Sequence, residues 1–249
     1  MSRTLAGKTA IVTGGGQGIG RGIARALAQQ GAAVLVAGRT ESTLCAVVES
    51  IRAEKGTADW HRGDITEQDT VDTLVRRACD VYGTVDILVN NAQDISAGPL
   101  LDADPAAFER AWRSGPMAAL ALMRACHPLL LDGGVVINLV SGVGIRWDME
   151  GFGAYAAAKQ ALAALTRTAA CEWGPSGIRV LGLMPVAATA AWQSFETAYP
   201  EQAADFVSRI PLRRIADPEA IGRAAALLCG PDASYITGSV VKVDGGFAP

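Results

Sequence analysis

Six short apolar runs, with longer helix-like stretches lying between them, restrict what this chain can fold into more than any other feature. The runs cover residues 9–13, 33–37, 86–90, 135–140, 178–183 and 239–243; the helical stretches cover 20–30, 42–54, 70–81, 105–131, 155–173 and 218–228. Near-continuous Val, Ile and Leu without polar alternation suits strands covered on both faces, as parallel strands are. Repeated strand–helix alternation then builds one doubly wound parallel sheet, a three-layer α/β/α arrangement in a single domain over 1–249. The composition supplies the core: half of the 249 residues are hydrophobic and only 19% are charged.

Several functions are excluded at this level. A net charge of -3 leaves no basic face for nucleic acid. No apolar run approaches the roughly 18 residues of a membrane span, and the N-terminus lacks the apolar segment of a secretory signal. The cysteines, Cys45, Cys79, Cys126, Cys171 and Cys229, are odd in number and widely spaced, which argues against a disulfide framework or a zinc site. With His61 and His127 as the only histidines, a His-rich metal centre is out of reach. The expectation is a metal-free cytoplasmic protein.

In a sheet of this kind, ligands lie beyond the carboxyl ends of the strands. The first strand runs into Thr13-Gly14-Gly15-Gly16-Gln17-Gly18-Ile19-Gly20. Glycines let the backbone turn tightly and approach a pyrophosphate, while the following helix offers unpaired N–H groups and the positive end of its dipole. A glycine cluster between a first strand and a helix is the arrangement of a Rossmann-type dinucleotide site; the competing account is a plain tight turn. The second strand ends at Ala37-Gly38-Arg39-Thr40, with no carboxylate before Glu41. A carboxylate there would bond the ribose hydroxyls of NAD, whereas the planar fork of Arg39 suits a 2′-phosphate. This favours NADP(H), with NAD(H) as the alternative and a solvated surface arginine as the competing reading of Arg39.

A second group of residues carries chemistry. Tyr155 and Lys159 are four apart in a helical stretch, so they share a face. A lysine cation beside a phenol favours phenolate and lowers its pKa, making Tyr155 an acid or base near neutrality. Ser141 stands just past the 135–140 strand, at the same edge, where it can hold a carbonyl or hydroxyl oxygen or simply cap a turn.

In this order the features resemble the short-chain dehydrogenase/reductase family, in its single-domain branch, over nearly the whole chain. The T-G-x-x-x-G-x-G turn from Thr13 to Gly20 carries the resemblance, and so do Asp64-Ile65, where the family contacts adenine, and Asn90-Asn91-Ala92. Ser141, Tyr155 and Lys159 match the family's catalytic residues; Pro185 with Thr189 and the tail from Tyr235 to Gly246 are family-like as well. The resemblance implies hydride transfer between a nicotinamide cofactor and a carbonyl/secondary-alcohol pair. Tyr155 would move the proton, Lys159 would lower its pKa and hold the nicotinamide ribose, and Ser141 would orient the substrate oxygen. The implied cofactor residues are Gly14, Gly16, Gln17, Gly18, Ile19, Gly20, Arg39, Asp64, Ile65, Asn91, Ala92, Tyr155, Lys159, Pro185 and Thr189.

Three positions depart from the family pattern. The Asn of the helix after the N-N-A strand aligns with Gly115, which has no side chain for a water relay. Pro116, lacking an N–H, is expected to leave the Trp112 carbonyl unpaired and kink the helix, giving a water a place to bind. Gln93 replaces a glycine beside the cofactor, and Val186 replaces the glycine after Pro185. These departures keep open a non-catalytic nucleotide-binding sensor with a degenerate site, beside an NAD-dependent alcohol dehydrogenase of the same fold.

Two stretches are expected to shape the substrate pocket. One is 144–152, with Trp147 and Met149; the other is a lid at 186–211, with Trp192, Phe195, Tyr199 and Phe206. Gln93, Trp147, Met149 and Trp192 are the candidate substrate residues, facing an apolar, cyclic or aromatic molecule; the competing account is that the aromatics pack the lid onto the body. Ala-rich apolar helix faces at 106–131 and 156–170 exceed what one side of a sheet buries. They suggest a homotetramer or dimer, as family members commonly are; burial within one chain is the competing account.

Overall fold

A computed structural model of the chain describes residues 3–95, 97–146 and 151–248. The elements run β1 (Thr9–Thr13), α1 (Gly18–Gln29), β2 (Ala33–Gly38), α2 (Glu41–Ala53), β3 (Thr57–Arg62), α3 (Gln68–Tyr82), β4 (Ile87–Asn90), α4 (Pro105–Trp112), α5 (Ala118–Cys126), β5 (Val135–Leu139), α6 (Gly153–Trp173), β6 (Arg179–Pro185), α7 (Ala190–Ala198), α8 (Pro200–Arg209), α9 (Pro218–Cys229) and β7 (Val240–Val243). The seven strands form one sheet in the order β3-β2-β1-β4-β5-β6-β7, every pair parallel. The chain winds outward from β1 to one edge and then returns to build the other half from β4. The switch in strand order therefore falls between β1 and β4, where the glycine turn leaves the sheet.

The apolar runs of the central strands are buried because alternate residues serve opposite faces, whereas β7 at the sheet edge is only half-buried. Val12, Val36, Val89 and Ile137 join the core beneath α1, α2 and α9, while Ile11, Leu35, Leu88 and Val136 join the core beneath α3 and α5. On α1, Ile23 and Leu27 are fully buried, each stabilising by roughly 1.5–3 kcal/mol. A chain of buried amides crosses the sheet interior: Asn90 donates to Asn138 at 2.8 Å, and Asn138 donates to the Thr166 hydroxyl of α6 at 2.9 Å. It ties β4, β5 and α6 together beneath the strand ends that carry the site.

The structure adds or reshapes three elements. β3, with sequence TADWHR, is an edge strand of which only Ala58 is fully buried, so it lacks an apolar run. The stretch 105–131 is not one kinked helix: α4 and α5 are joined by a π turn, Arg113–Met117, that contains Pro116. There the Ala118 N–H reaches back five residues to the Arg113 carbonyl. In that register the Trp112 carbonyl faces the N–H of Met117, one past the proline, so the missing donor is stepped over. Finally, residues 186–211 fold into α7 and α8, with the Thr189 hydroxyl capping α7.

Candidate active site

The glycine turn is shaped by contacts that permit no side chain. Gly14 and Gly18 have φ of +63° and +51°, in the left-handed region. A Cβ on Gly20 would stand 2.3 Å from the Gly14 carbonyl oxygen. Asn91 locks this turn, donating through Nδ2 to the carbonyls of Thr13 and Gly14 at 2.9 and 3.2 Å, while its N–H bonds the Thr13 hydroxyl. The N-terminus of α1, like those of α2, α3, α6 and α8, has no side-chain cap, and it alone of these carries the glycine turn. Its first N–H groups are thus left to a ligand, and the dipole there favours an anion.

Above the turn lies a cavity of about 430 Å³. It is lined by all fifteen residues assigned to the cofactor from sequence: Gly14, Gly16, Gln17, Gly18, Ile19, Gly20, Arg39, Asp64, Ile65, Asn91, Ala92, Tyr155, Lys159, Pro185 and Thr189. Asp94, Ile95, Ser114, Thr43 and Leu44 also line it and escaped sequence reasoning, which searched only strand ends and family motifs. Asp94 sits beside the N-N-A segment, but nothing in its local sequence says what it faces. Its carboxylate meets Arg39, with Nη2 to Oδ1 at 2.9 Å. Asp64 accepts from the N–H and hydroxyl of Thr66, which fixes the bend after β3.

Tyr155 projects from the first turn of α6 into the cavity, as the sequence reading required. Ser141, at the end of β5, shares a hydrogen bond with the phenol and accepts the Val143 N–H at 3.3 Å, so it both caps a turn and meets Tyr155. Lys159 is buried, with Nζ 5.4 Å from the Tyr155 ring centroid and donating to the Leu139 carbonyl. The expected depression of the Tyr155 pKa by Lys159 does not govern this state. Burial pushes the phenol up to about 12, opposed by the hydrogen bond with Ser141. Burial also brings the Lys159 ammonium down to about 7, which weakens the cation that was to do the lowering.

Two of the departures are physically linked. A Cβ on Gly115 would stand 2.8–3.1 Å from the Gln93 amide, so the glutamine occupies the room that a side chain at 115 would take. Gln93 lines the cavity and donates to the Ala111 carbonyl at 3.3 Å; its buried Oε1 has no partner among the described residues. The third departure, Val186, donates its N–H to the Val243 carbonyl and pins the start of the 186–211 segment to β7.

Trp192 packs with Phe195 and Phe206 at centroid distances of 5.7 and 5.1 Å, and Phe206 continues to Phe247 at 4.5 Å. Arg146 lies over the Phe247 ring at 3.9 Å. Of the segment, Thr189, Ala190 and Ala191 reach the main cavity rather than Trp192. Trp147 and Met149 lie outside the described residues. Among the described residues no group of His, Cys, Asp and Glu is placed to hold a metal ion, and no helix is long and apolar enough to cross a membrane.

A doubly wound sheet whose glycine turn shares one cavity with Tyr155 and Lys159, with Ser141 hydrogen-bonded to the phenol, defines a dinucleotide-binding class of enzyme. A family profile described as Enoyl-(Acyl carrier protein) reductase matches residues 14–248. The chain is 37% identical over 251 residues to the 12alpha-hydroxysteroid dehydrogenase of Clostridium sp. (strain ATCC 29733 / VPI C48-50), covering 96% of each. A dehydrogenase/reductase from Sinorhizobium meliloti 1021 superposes with TM-score 0.93 at 33% identity, covering 100% of this chain and 98% of its own. A blue fluorescent protein from a metagenomic library, solved in complex with NADPH, superposes with TM-score 0.91 at 33% identity, covering 99% and 100%. The chain belongs to the short-chain dehydrogenase/reductase family and is an oxidoreductase.

Proposed function

We infer that this chain transfers a hydride between NADP(H) and the carbonyl or secondary alcohol of a small molecule, with Tyr155 as general acid/base. The observation that carries the reading is that Tyr155 and Lys159 line one cavity with an uncapped, glycine-lined helix N-terminus, while Ser141, outside that lining, hydrogen-bonds the Tyr155 phenol. That cradle fits a dinucleotide: the glycine turn and α1 would hold the pyrophosphate, Arg39 a 2′-phosphate, Asp64 and Ile65 the adenine, and Pro185 and Thr189 the nicotinamide end. The bound nicotinamide supplies hydride chemistry; the chain supplies placement and proton traffic.

Tyr155 holds a proton across the physiological range, which suits donation to a carbonyl oxygen. Ser141 hydrogen-bonds the same phenol and is placed to orient the substrate oxygen beside it. Lys159 is close to half-protonated near neutrality, so it is placed to return a proton toward the phenol side of the site. The similarity to a hydroxysteroid dehydrogenase supports a cyclic secondary alcohol or ketone as substrate. In this reading 186–211 is a lid, its aromatics serving chiefly to fasten α7 to α8 and to Phe247. The chain works in the cytoplasm as a homotetramer or dimer.

The test is Tyr155→Phe with a panel of cyclic ketones and alcohols, followed by nicotinamide absorbance. Turnover should fall by roughly 10²–10⁴-fold while cofactor binding persists. Full turnover in the variant, or no tyrosine-dependent turnover on any substrate, would return the protein to the non-catalytic sensor reading.

A further inference from the structure

Arg39 and Asp94 approach each other across the nucleotide groove. Arg39 follows the last residue of β2, and Asp94 lies four residues beyond the end of β4; β1 runs between the two strands. Their backbones thus leave strands separated by roughly 9–10 Å, and their side chains meet above the glycine turn of β1. The guanidinium contacts both carboxylate oxygens, at 2.9 and 3.5 Å, and both residues line the same cavity. Asp94 is held in place: its N–H donates to the Ser114 hydroxyl at 3.0 Å, which donates to the Arg110 carbonyl at 2.7 Å. The carboxylate nearest in sequence to Arg39, Glu41, is drawn elsewhere, lying 3.8 Å from Arg62.

We propose that Asp94 is a specificity-determining residue for the nucleotide, competing with a ligand phosphate for the Arg39 guanidinium. The proposal rests on the reading of Arg39 given above. The Arg39 side chain is 65% exposed and that of Asp94 36%, so the pair is solvated and opens at little cost. It therefore does not lock the groove. Its effect is a charge effect: a 2′-phosphate, itself near −2, must take the guanidinium from a fixed carboxylate and then remain near that carboxylate. A ribose without the phosphate meets no such repulsion, and Asp94 offers its hydroxyls an acceptor. Asp94 thus supplies from β4 the carboxylate that is missing at the end of β2, and it holds the preference for NADP(H) below what Arg39 alone would give.

The test needs no turnover. The purified wild type, Asp94→Asn, Arg39→Ala and the double variant are titrated with NADPH and with NADH, following nicotinamide fluorescence. Asp94→Asn keeps the shape and removes the charge, so the ratio of Kd for NADH to Kd for NADPH should rise by about fivefold. In the Arg39→Ala background the part of that gain due to competition for the guanidinium should disappear, leaving a smaller rise from the removed repulsion. Retained NADH binding shows that each variant is folded. If Arg39→Ala weakens NADPH but Asp94→Asn leaves the ratio unchanged, Asp94 has no part in selection and the Arg39 reading stands. If Arg39→Ala leaves NADPH binding intact, the Arg39 reading fails and the competition proposed here fails with it.

Discussion

Lys159 shows how a single residue is held against its own preference. Its ammonium is buried and its pKa falls to about 7, whereas in the unfolded chain it stays near the ordinary lysine value. Between those two values the unfolded chain binds the proton and the folded chain does not. Stability contributed by this group therefore rises as pH increases from about 7 toward 10.5, and the burial penalty is fully present below 7. Tyr155 has the opposite sign: with its folded pKa raised to about 12, it costs stability between about 10 and 12. Lys159→Met should therefore be more stable than wild type at pH 6, by on the order of 2–3 kcal/mol after loss of the bond to Leu139 is allowed for. That advantage should shrink by pH 9. Urea unfolding at both pH values measures it, and comparing variant with wild type removes the contribution of His61, whose pKa burial also lowers. Equal midpoints at pH 6 would contradict the burial argument.

Among the elements, α1 depends on α9 more than its sequence suggests. A Cβ on Gly22 would stand 2.2 Å from the Pro218 carbonyl oxygen, and one on Gly222 would stand 2.1 Å from that of Gly22. The two helices meet backbone to backbone, and this contact fixes the tilt of α1, whose N-terminus forms the phosphate cradle. Gly222→Ala raises helix propensity by about 1 kcal/mol, yet it must force the pair apart. The net expectation is destabilisation by roughly 1–3 kcal/mol together with weaker cofactor binding, read from Tm with and without NADPH. A variant as stable as wild type would show that α1 is free to shift. The π turn teaches a related point: Gly115-Pro116 could be read as a break in a helix, but its outcome depends on which carbonyls the following residues reach. The fit of Gln93 into the space at Gly115 was not legible from either residue alone.

For the whole molecule, the surface bears on assembly. Phe108 and Trp112 on α4, Met117 in the π turn and Leu120 on α5 stay 37–54% exposed despite their size. They lie within the apolar 106–131 stretch, of whose alanines Ala111, Ala118 and Ala119 are buried within the chain. We propose these exposed aromatic and aliphatic side chains as a contact surface between copies of the chain. Trp112→Glu should shift the chain from an oligomer toward a monomer in light scattering coupled to gel filtration, with little change in the far-ultraviolet spectrum. A wild-type monomer at micromolar concentration would remove the assignment.

What the sequence determined by itself is the frame and the local chemistry. Strand–helix alternation specifies the wound sheet because apolar period is a local property, and the glycine turn and the Tyr155–Lys159 spacing act within one or two turns of chain. The polar edge strand β3 escaped because it buries only Ala58 and carries no apolar run, unlike β7 at the opposite edge. Only the tertiary structure decided which residues from distant strands share a charge or a volume: Asp94 with Arg39, Gln93 with Gly115, Gly22 with Gly222. It also reversed the expected pKa order at the active site. Electrostatic and steric energies depend on distance and solvent exposure, and neither is defined until the chain has closed around the group.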